Sequence, residues 1–306
     1  MSSESPFDTP GRILCGTVVT PDFAASLADY TGQLGLAVVE EGRVPPDLAR
    51  SWGAPAQVAR PYALLAAPGG AGCFVRLVEG APVPSFSALR HFGWAAFEMS
   101  VVDAFALHKR IDQSAFRVIG EPRLVPGFDN FIPFQVAGRA GEVLYLNTVL
   151  KAGMTDLDLP HAKAGVDAIF IMVLAARDRA ETVAFHVQAL GFEEGQTWVI
   201  PYSMINQSFG LPDDHQTAMT MTKTGRLPAS EIDQYPPGAT DRPRATGELP
   251  PGNAIASFAV ASLDAVAAPF IEPPVPRDGA LYRGRRVGTV RGPSSELLEL
   301  VELVEP

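Results

Sequence analysis

Acidic side chains within strand-like segments are the first residues of this sequence that could do chemistry. Residues 230–237 read SEIDQYPP, which is more polar than a core strand needs. Because side chains alternate along a strand, Glu231 and Asp233 share a face. A further carboxylate, Glu299, lies in the strand-like segment SELLELVE. Carboxyl groups that lose hydration in an apolar cavity hold their protons more tightly, which suits acid–base catalysis near neutral pH.

The cysteines and most histidines favour structural roles. Two cysteines, Cys15 and Cys73, are too few for a disulfide framework or a four-cysteine metal site. His108 and His186 fall on predicted helices, and His161 falls in a linker. We therefore interpret Cys15 as a small buried apolar residue and look elsewhere for the reactive groups.

The composition is that of a folded, acidic chain of 306 residues. Apolar residues make up 47% and charged residues 19%, which rules out a wholly disordered chain. The net charge of -10 disfavours nucleic acid as a partner, because such a chain repels phosphate backbones. The start has no signal-peptide pattern, and the longest apolar run, residues 168–176, is too short to span a membrane. We expect a soluble, cytoplasmic protein with no membrane partner.

An internal repeat organises the sequence. Asp22 and Asp178 are each followed 13 residues later by a glycine, and they lie 156 residues apart. Two further pairs of similar segments recur at offsets of 161 and 154 residues. The offsets predict a duplicated half of about 155 residues, with an N-terminal half at 1–155 and a C-terminal half at 160–306.

Each half contains two similar starts, at Asp22 and Asp103 and then at Asp178 and Asp264. Residues 13–20 are apolar and β-rich, which predicts a buried strand, and the aspartate that follows can cap a helix. Short strands follow each helix. The pattern predicts an α+β fold of four βαβββ units joined by proline-rich linkers.

Four such units resemble the vicinal oxygen chelate superfamily. The resemblance rests on the pattern D-x7-Y-x3-LG at a helix and on GEVLYL or SELLELVE in a final strand. The superfamily includes glyoxalase I, extradiol ring-cleavage dioxygenases and bleomycin resistance proteins, so it implies a fold more firmly than a reaction. In that family two units close into a cup whose inner face carries the site. The resemblance therefore implies two cup-like half-barrel pairs, one in each half.

The resemblance also implies where metal-using members place their ligands. The positions of the family's first-strand histidines are occupied here by Cys15, Trp94, Ile171 and Ile255. The positions of its final-strand glutamates are occupied by Arg76, Tyr145, Glu231 and Glu299. A non-haem iron site needs two histidines and a carboxylate, so we expect no tightly held transition metal. A weakly bound divalent cation at Glu231 and Glu299 stays open.

With one cup in each half, the first cup would present Cys15, Arg76, Trp94 and Tyr145. Aromatic rings beside a guanidinium would suit an aromatic or carboxylate-bearing ligand, which makes Arg76, Trp94 and Tyr145 candidate substrate-binding residues. The alternative is a cup plugged by its own side chains, with Arg76 paired internally.

The second cup would hold the candidate catalytic residues. It would present four residues, Glu231, Glu299, Ile171 and Ile255. Glu299 and Glu231 would act as base and acid, with the two isoleucines contacting substrate and His215 reaching the mouth. The alternative is that a glutamate faces solvent or pairs with an arginine such as Arg285.

The sequence thus favours a metal-independent lyase or isomerase that transfers a proton on a small apolar or aromatic substrate. A second hypothesis is a non-catalytic module that sequesters such a molecule, as the resistance members of the family do. A third is a divalent-metal glyoxalase or ring-cleavage dioxygenase with rearranged ligands. Family members often pair, so a homodimer stays open.

Overall fold

The chain forms 17 strands and five α-helices within residues 9–68, 72–124, 130–151 and 156–303, which are the residues that the computed structural model describes. Unit 1 contains β1 (Ile13–Thr20), α1 (Phe23–Gly32), β2 (Ala37–Arg43), α2 (Pro46–Ser51), β3 (Pro61–Ala66) and β4 (Phe74–Glu79). Unit 2 contains β5 (Gly93–Val101), α3 (Ala104–Arg110), β6 (Arg117–Gly120), β7 (Phe131–Ile132), β8 (Gln135–Ala137) and β9 (Val143–Val149).

The second half of the chain supplies two more units. Unit 3 contains β10 (Val166–Ala176), α4 (Arg179–Leu190), β11 (Glu193–Pro201), α5 (Ser203–Phe209), β12 (Gln216–Thr224) and β13 (Leu227–Gln234). Unit 4 contains β14 (Gly252–Val260), β15 (Val275–Arg277), β16 (Arg285–Arg291) and β17 (Leu297–Glu302). The α+β architecture of four repeated units is confirmed. The boundary predicted at residue 155 lies outside the described residues, as do residues 1 and 306, the outer ends of the two predicted halves.

The helix that opens each unit is capped as the sequence predicts, except in unit 4. Asp22, Asp103 and Asp178 each accept a hydrogen bond from a backbone N–H in the first turn of α1, α3 and α4. The fourth start was predicted at Asp264, but Ser262 is the cap and it begins only a 3₁₀ turn, Leu263–Ala265. Pro269 follows closely and disfavours helical backbone before it, so no longer helix forms there. None of the described helices is long and apolar enough to cross a membrane.

Each of the two sheets joins one unit from each half of the chain. The 1/4 sheet has the strand order β15-β16-β17-β14-β1-β4-β3-β2, and the 2/3 sheet has the order β11-β12-β13-β10-β5-β9-β8-β6, with β7 paired to β9. The pairs β1–β14 and β5–β10 are antiparallel and join the units at the centre of each sheet. The expectation of one cup per sequence half is therefore wrong, because the first strand of each unit pairs across the halves.

A common register nevertheless relates all four units. In each unit the first and last strands pair in parallel, and a residue five positions before the cap lies opposite a residue of the final strand. We call these the floor pairs: Thr17–Arg76, Glu98–Tyr145, Val173–Glu231 and Ser257–Glu299. The four final-strand residues identified from sequence therefore do occupy equivalent positions.

The largest core lies between the two sheets. The sheets contact each other there through β1 against β10 and β5 against β14. Gly16 sits at this contact, where a Cβ would lie 2.7 Å from the ring of Phe97 and 2.8 Å from Ile169 Cδ1. Real Cβ atoms essentially never approach that closely. The missing side chain at Gly16 therefore sets how closely the sheets approach.

We predict that Gly16→Ala lowers the free energy of unfolding by about 1–3 kcal/mol, since it overpacks this contact. Gly32→Ala is the matched control, because a Cβ at this last residue of α1 would meet nothing within 4 Å. It should raise stability by roughly 0.5 kcal/mol through a smaller loss of chain entropy. Urea unfolding of both variants checks the prediction, and equal effects would contradict it.

Candidate functional site

A cavity of about 180 Å³ occupies the concave face of the 2/3 sheet. Its walls come mainly from units 2 and 3, including α5 of unit 3, and they are largely apolar. The apolar side chains at the wall are Phe131, Leu157, Leu159, Phe170, Ile171, Trp198, Ile200, Met204, Met219 and Met221. Tyr145 and Ile171, both predicted as substrate-binding residues, line this cavity, as does Glu231.

Two hydrogen-bonded groups form the polar floor of the cavity. The Tyr202 hydroxyl lies 2.9 Å from Glu231 Oε1, to which it donates, and 3.2 Å from the hydroxyl of Tyr145. Across the same sheet, Asn147 on β9 donates its amide N–H to Glu98 on β5. The helix α5 begins just after Tyr202 and so holds that ring over the sheet. The floor thus presents two carboxyl groups on separate strands, and neither is paired with a cation from the described part of the chain.

Burial keeps protons on the carboxyl groups of this floor. It raises the pKa of Glu231 to about 7, although hydrogen bonds from Tyr202 and Asp233 oppose the shift. Burial raises the pKa of Glu98 well above its ordinary value, and repulsion from Glu231 adds to the shift. The pKa of Asp233 is raised for the same two reasons, burial and repulsion from Glu231. Near neutral pH Glu231 therefore exists in both its ionised and its protonated form, and burial shifts Glu98 and Asp233 towards their protonated forms.

A buried ion pair lies in the 1/4 cup, beside a cavity of about 310 Å³ whose wall includes Trp52, Arg76 and Tyr282. Arg76 Nη2 lies 3.0 Å from Glu299 Oε1, and both side chains are at most 3% exposed. Glu299 also accepts hydrogen bonds from the indole of Trp52, at 2.8 Å, and from the hydroxyls of Ser257 and Tyr282, at 2.8 and 3.0 Å. The guanidinium lies 4.6 Å from the centre of the Trp52 ring. The pair is therefore enclosed and saturated with partners.

These partners keep Glu299 ionised. Burial alone would raise its pKa, but Arg76 and the three donors hold the pKa below its ordinary value. Burial also raises the pKa of the Cys15 thiol to about 12, so the interpretation of Cys15 as an inert core residue agrees with its setting. A carboxylate with a lowered pKa and no free lone pair is a poor base, and this geometry favours the ion-pair alternative for Glu299.

The two predicted catalytic glutamates therefore do not share a cup. Glu231 lies on β13 of the 2/3 sheet and Glu299 on β17 of the 1/4 sheet. One divalent cation could not contact both carboxylates in this arrangement, and a weakly bound cation at either one stays a prediction. Ile255 is completely buried in the 1/4 sheet, on the strand next to Glu299. Arg76 also lies in that cup and not with Tyr145.

Trp94 does not face either cup. The register between β5 and β10 shifts between Ala96, opposite Val173, and Trp94, opposite Leu174, so Ala95 forms a bulge. A one-residue insertion reverses the faces of the strand beyond it. The Trp94 ring therefore packs between the sheets, and its indole N–H donates to the Leu297 carbonyl at 2.8 Å.

His215 is exposed and does not belong to the cavity wall. Its backbone N–H closes a turn onto the Pro212 carbonyl at 3.0 Å. Its own carbonyl accepts a hydrogen bond from the buried side chain of Asn206. The turn directs the residue away from the mouth that the sequence predicted for it.

Sequence reasoning missed Glu98 and Asn147 in the 2/3 cup and Trp52 and Tyr282 in the 1/4 cup. Glu98 had a readable signal, because it is the single charged residue of the strand GWAAFEMSV. Trp52 and Tyr282 come from connections between strands, so no strand periodicity points to them.

The side chains at the family's ligand positions do not fit its transition-metal site. The 2/3 cup offers Ile171, Tyr145 and Glu231 there, and the 1/4 cup offers Cys15, Ile255, Arg76 and Glu299. Neither set contains an imidazole, and Arg76 already neutralises Glu299. Within the described ranges, no group of three or more His, Cys, Asp or Glu side chains could hold a metal ion.

Comparison with known proteins relates this chain to others by fold. Glyoxalase I from Zea mays superimposes with a TM-score of 0.60 at 15% identity, over 95% of this chain and 92% of that protein. A variant of the same protein gives 0.63 at 16% identity over the same shares. A putative dioxygenase from Bacillus subtilis gives 0.59 at 12% identity, over 97% and 87% of the two chains. No family model matches the sequence, and no curated protein matches it either. The resemblance to the vicinal oxygen chelate superfamily is thus confirmed for the fold.

We predict that Glu231→Gln changes how stability depends on pH. Since the pKa of Glu231 rises from 4.5 to about 7 on folding, the folded state binds the extra proton between these values. Stability that is present below pH 4.5 is then lost as pH rises through 7, by about 3 kcal/mol for this group. The variant should therefore equal the wild type near pH 4.5 and exceed it by that amount at pH 8. Urea unfolding across this range measures the difference, and a constant gap would contradict the shift.

We predict that Glu299→Gln behaves in the opposite way. At pH 7 it should lower the free energy of unfolding by about 3–5 kcal/mol, because it leaves Arg76 charged and unpaired. The pKa of Glu299 is lowered by folding, so its contribution is present above its unfolded pKa and is lost as pH falls through the folded value. The gap should narrow below pH 4.5.

Two further variants serve as controls for the Glu299 prediction. The double variant Arg76→Met/Glu299→Gln should recover part of the loss, because no uncompensated charge remains. Asp264→Asn breaks an exposed ion pair with Arg286 and should have little effect on unfolding. An unchanged melting temperature for Glu299→Gln would return Glu299 to the list of catalytic candidates.

Proposed function

We propose that the 2/3 cup binds a small apolar or aromatic molecule and transfers a proton on it without a redox metal, as a lyase or isomerase. The observation that carries this proposal is Glu231, a carboxyl group at the cavity wall whose pKa is raised to about 7. A base with a pKa near the working pH is present in its active form and still binds protons strongly.

The wall chemistry supports the substrate class. Met204, Met219 and Met221 lie with Trp198 and Phe170 around the polar floor. Thioether and aromatic groups pack well against a flat apolar body, while the few polar groups fix its orientation. We therefore infer a substrate with an apolar or aromatic body and one acidic C–H next to a carbonyl group.

The floor supplies the groups that such a transfer needs. Ionised Glu231 would take the proton from the C–H bond, and the bonding pair would move towards the carbonyl oxygen. Once Glu231 is protonated, the Tyr202 hydroxyl that now donates to it at 2.9 Å becomes free to donate to that oxygen. Glu98, whose pKa is also raised, lies on β5, two strands away from Glu231 on β13, and would return a proton to the molecule.

Sequestration without turnover is the second candidate function. Three methionines, Met204 on α5 and Met219 and Met221 on β12, line the cavity and make a surface that adapts to ligands of different shape. A protein of this kind would bind the same apolar molecules but would not use the raised pKa of Glu231.

A proton-exchange experiment separates the two functions. We predict that the protein accelerates deuterium uptake from D₂O at the benzylic carbon of 1-phenyl-2-propanone, followed by proton NMR. The rate should rise about tenfold per pH unit below 7 and level off above it, as Glu231 loses its proton. Glu231→Gln should reduce the rate to that of buffer.

Glu194→Gln is the matched control, since Glu194 is exposed on β11 and does not line the cavity. It should exchange at the wild-type rate. Binding of the ketone is followed separately through the fluorescence of Trp198, with Trp198→Phe to identify the signal. Ketone that binds without accelerated exchange would overturn the catalytic proposal and favour sequestration.

A further inference from the structure

A different cavity, of about 260 Å³ and lined by charged side chains, lies outside both cups at the junction of the two sheets. It is bounded by the connection between β13 and β14, the start of β5 and the turn between β16 and β17. The residues that matter at its wall are Gly93, Trp94, Arg242, Arg244, Arg291 and Glu296. We call this cavity the junction pocket.

The junction pocket is positively charged in a chain whose net charge is -10. Three arginines line it, and Arg244 and Arg291 are exposed at its rim. Of the two lining carboxylates, Asp241 pairs with Arg177, and Glu296 is only 1% exposed with both oxygens buried. The charge that a ligand would meet is therefore that of the guanidinium groups.

Arg242 is the deepest of the three arginines. Its guanidinium donates to the Trp94 carbonyl on β5 and to the Asn253 carbonyl on β14, both at 2.5 Å. Burial lowers the pKa of Arg242 to about 10. Among the described residues it has no carboxylate within ion-pair distance, and its Nε is buried without a partner. Arg242 is half-buried, and a partly desolvated cation with only neutral acceptors is costly unless an anion compensates it.

The backbone leaves the approach to this cation open. Gly93 has a φ of 97°, and a Cβ there would lie 4.0 Å from Arg242 Nη2. On the other side, burial and the proximity of Arg244 lower the pKa of Arg291, so two like charges are held near each other at the rim. The guanidinium of Arg244 makes no hydrogen bond or ion pair with the described part of the chain. Three guanidinium groups therefore line one cavity, and an anion bound there would relieve the repulsion between Arg244 and Arg291.

We propose that the junction pocket binds a small oxyanion, either the carboxylate or the phosphate group of a small molecule, between Arg242, Arg244 and Arg291. The planar guanidinium fork matches the spacing of two oxygens in both groups, which a monatomic anion cannot offer. The junction pocket is separate from the cavity of the 2/3 cup, so the oxyanion would belong to a second ligand or to a regulatory molecule.

The test uses the whole protein and two probes, inorganic phosphate and acetate, each compared with chloride at constant ionic strength. We expect at least one oxyanion to raise the melting temperature in a saturable way, because a ligand that binds only the folded state stabilises it. Isothermal titration calorimetry then gives the Kd of each probe. A preference for phosphate or for acetate identifies which oxyanion the pocket recognises.

Substitution at the rim locates the binding. Arg244→Ala and Arg291→Ala should each weaken binding about tenfold, which corresponds to one charge-assisted contact of about 1.4 kcal/mol. Arg117→Ala, an exposed arginine on β6 outside the pocket, should bind within twofold of the wild type. Arg242 is left intact because it holds both sheets.

Two outcomes would overturn the proposal. One is that neither phosphate nor acetate stabilises the protein more than chloride does. The other is that both rim variants bind like the wild type. Glu231→Gln should bind oxyanion normally, so failure of the proton-transfer proposal and failure of this one are distinguishable.

Discussion

The pairing of first strands across the two halves of the chain is the constraint on which the rest of the structure depends. β1 pairs with β14 and β5 with β10, and both pairs are antiparallel and central in their sheets. Since each first strand also pairs in parallel with the last strand of its own unit, this choice decides which final-strand residues meet. The cross-half pairing places Arg76 beside Glu299 and Tyr145 near Glu231. One cup therefore contains an ion pair, and the other contains a carboxyl group beside phenols.

The contrast between the cups is an electrostatic one. In the 1/4 cup the final-strand residues are a cation and an anion, which neutralise each other and are enclosed by Trp52 and Tyr282. In the 2/3 cup the equivalent residues are a phenol and a carboxyl group, so no charge opposes Glu231. Burial then acts on Glu231 unopposed by a cation and raises its pKa, whereas Glu299 has its pKa lowered at similar burial. The same backbone register thus supports an ion pair in one cup and a proton-holding site in the other.

Local patterns predicted the units well and their association poorly. Apolar strands, aspartate caps and repeat offsets depend on residues near in sequence, and the elements around Asp22, Asp103 and Asp178 formed as predicted. Which units pair depends on contacts between strands far apart in sequence, such as Ile13 opposite Phe258, and four similar units satisfy the same local pattern in either arrangement. The predicted direction of the Trp94 side chain was wrong for another reason. A single bulge at Ala95 reverses the alternation of faces that strand periodicity assumes. Glu231 could be identified as a candidate from sequence because it lies in a final strand. Trp52 and Tyr282 lie in connections between strands, which no periodicity describes.

The nesting of the units has a consequence for synthesis of the chain. All strands of the 2/3 sheet lie between residues 93 and 234, so this sheet can close while the ribosome is still making unit 4. Unit 1 emerges first but must wait, because β1 pairs Ile13 with Phe258 and needs β14 at its open side. Every residue of β1 is buried in the finished protein. Until then it is an apolar strand with one unpaired edge, the kind of segment that other chains or chaperones bind. The nascent protein is therefore most vulnerable to aggregation in the interval between completion of its inner and outer sheets.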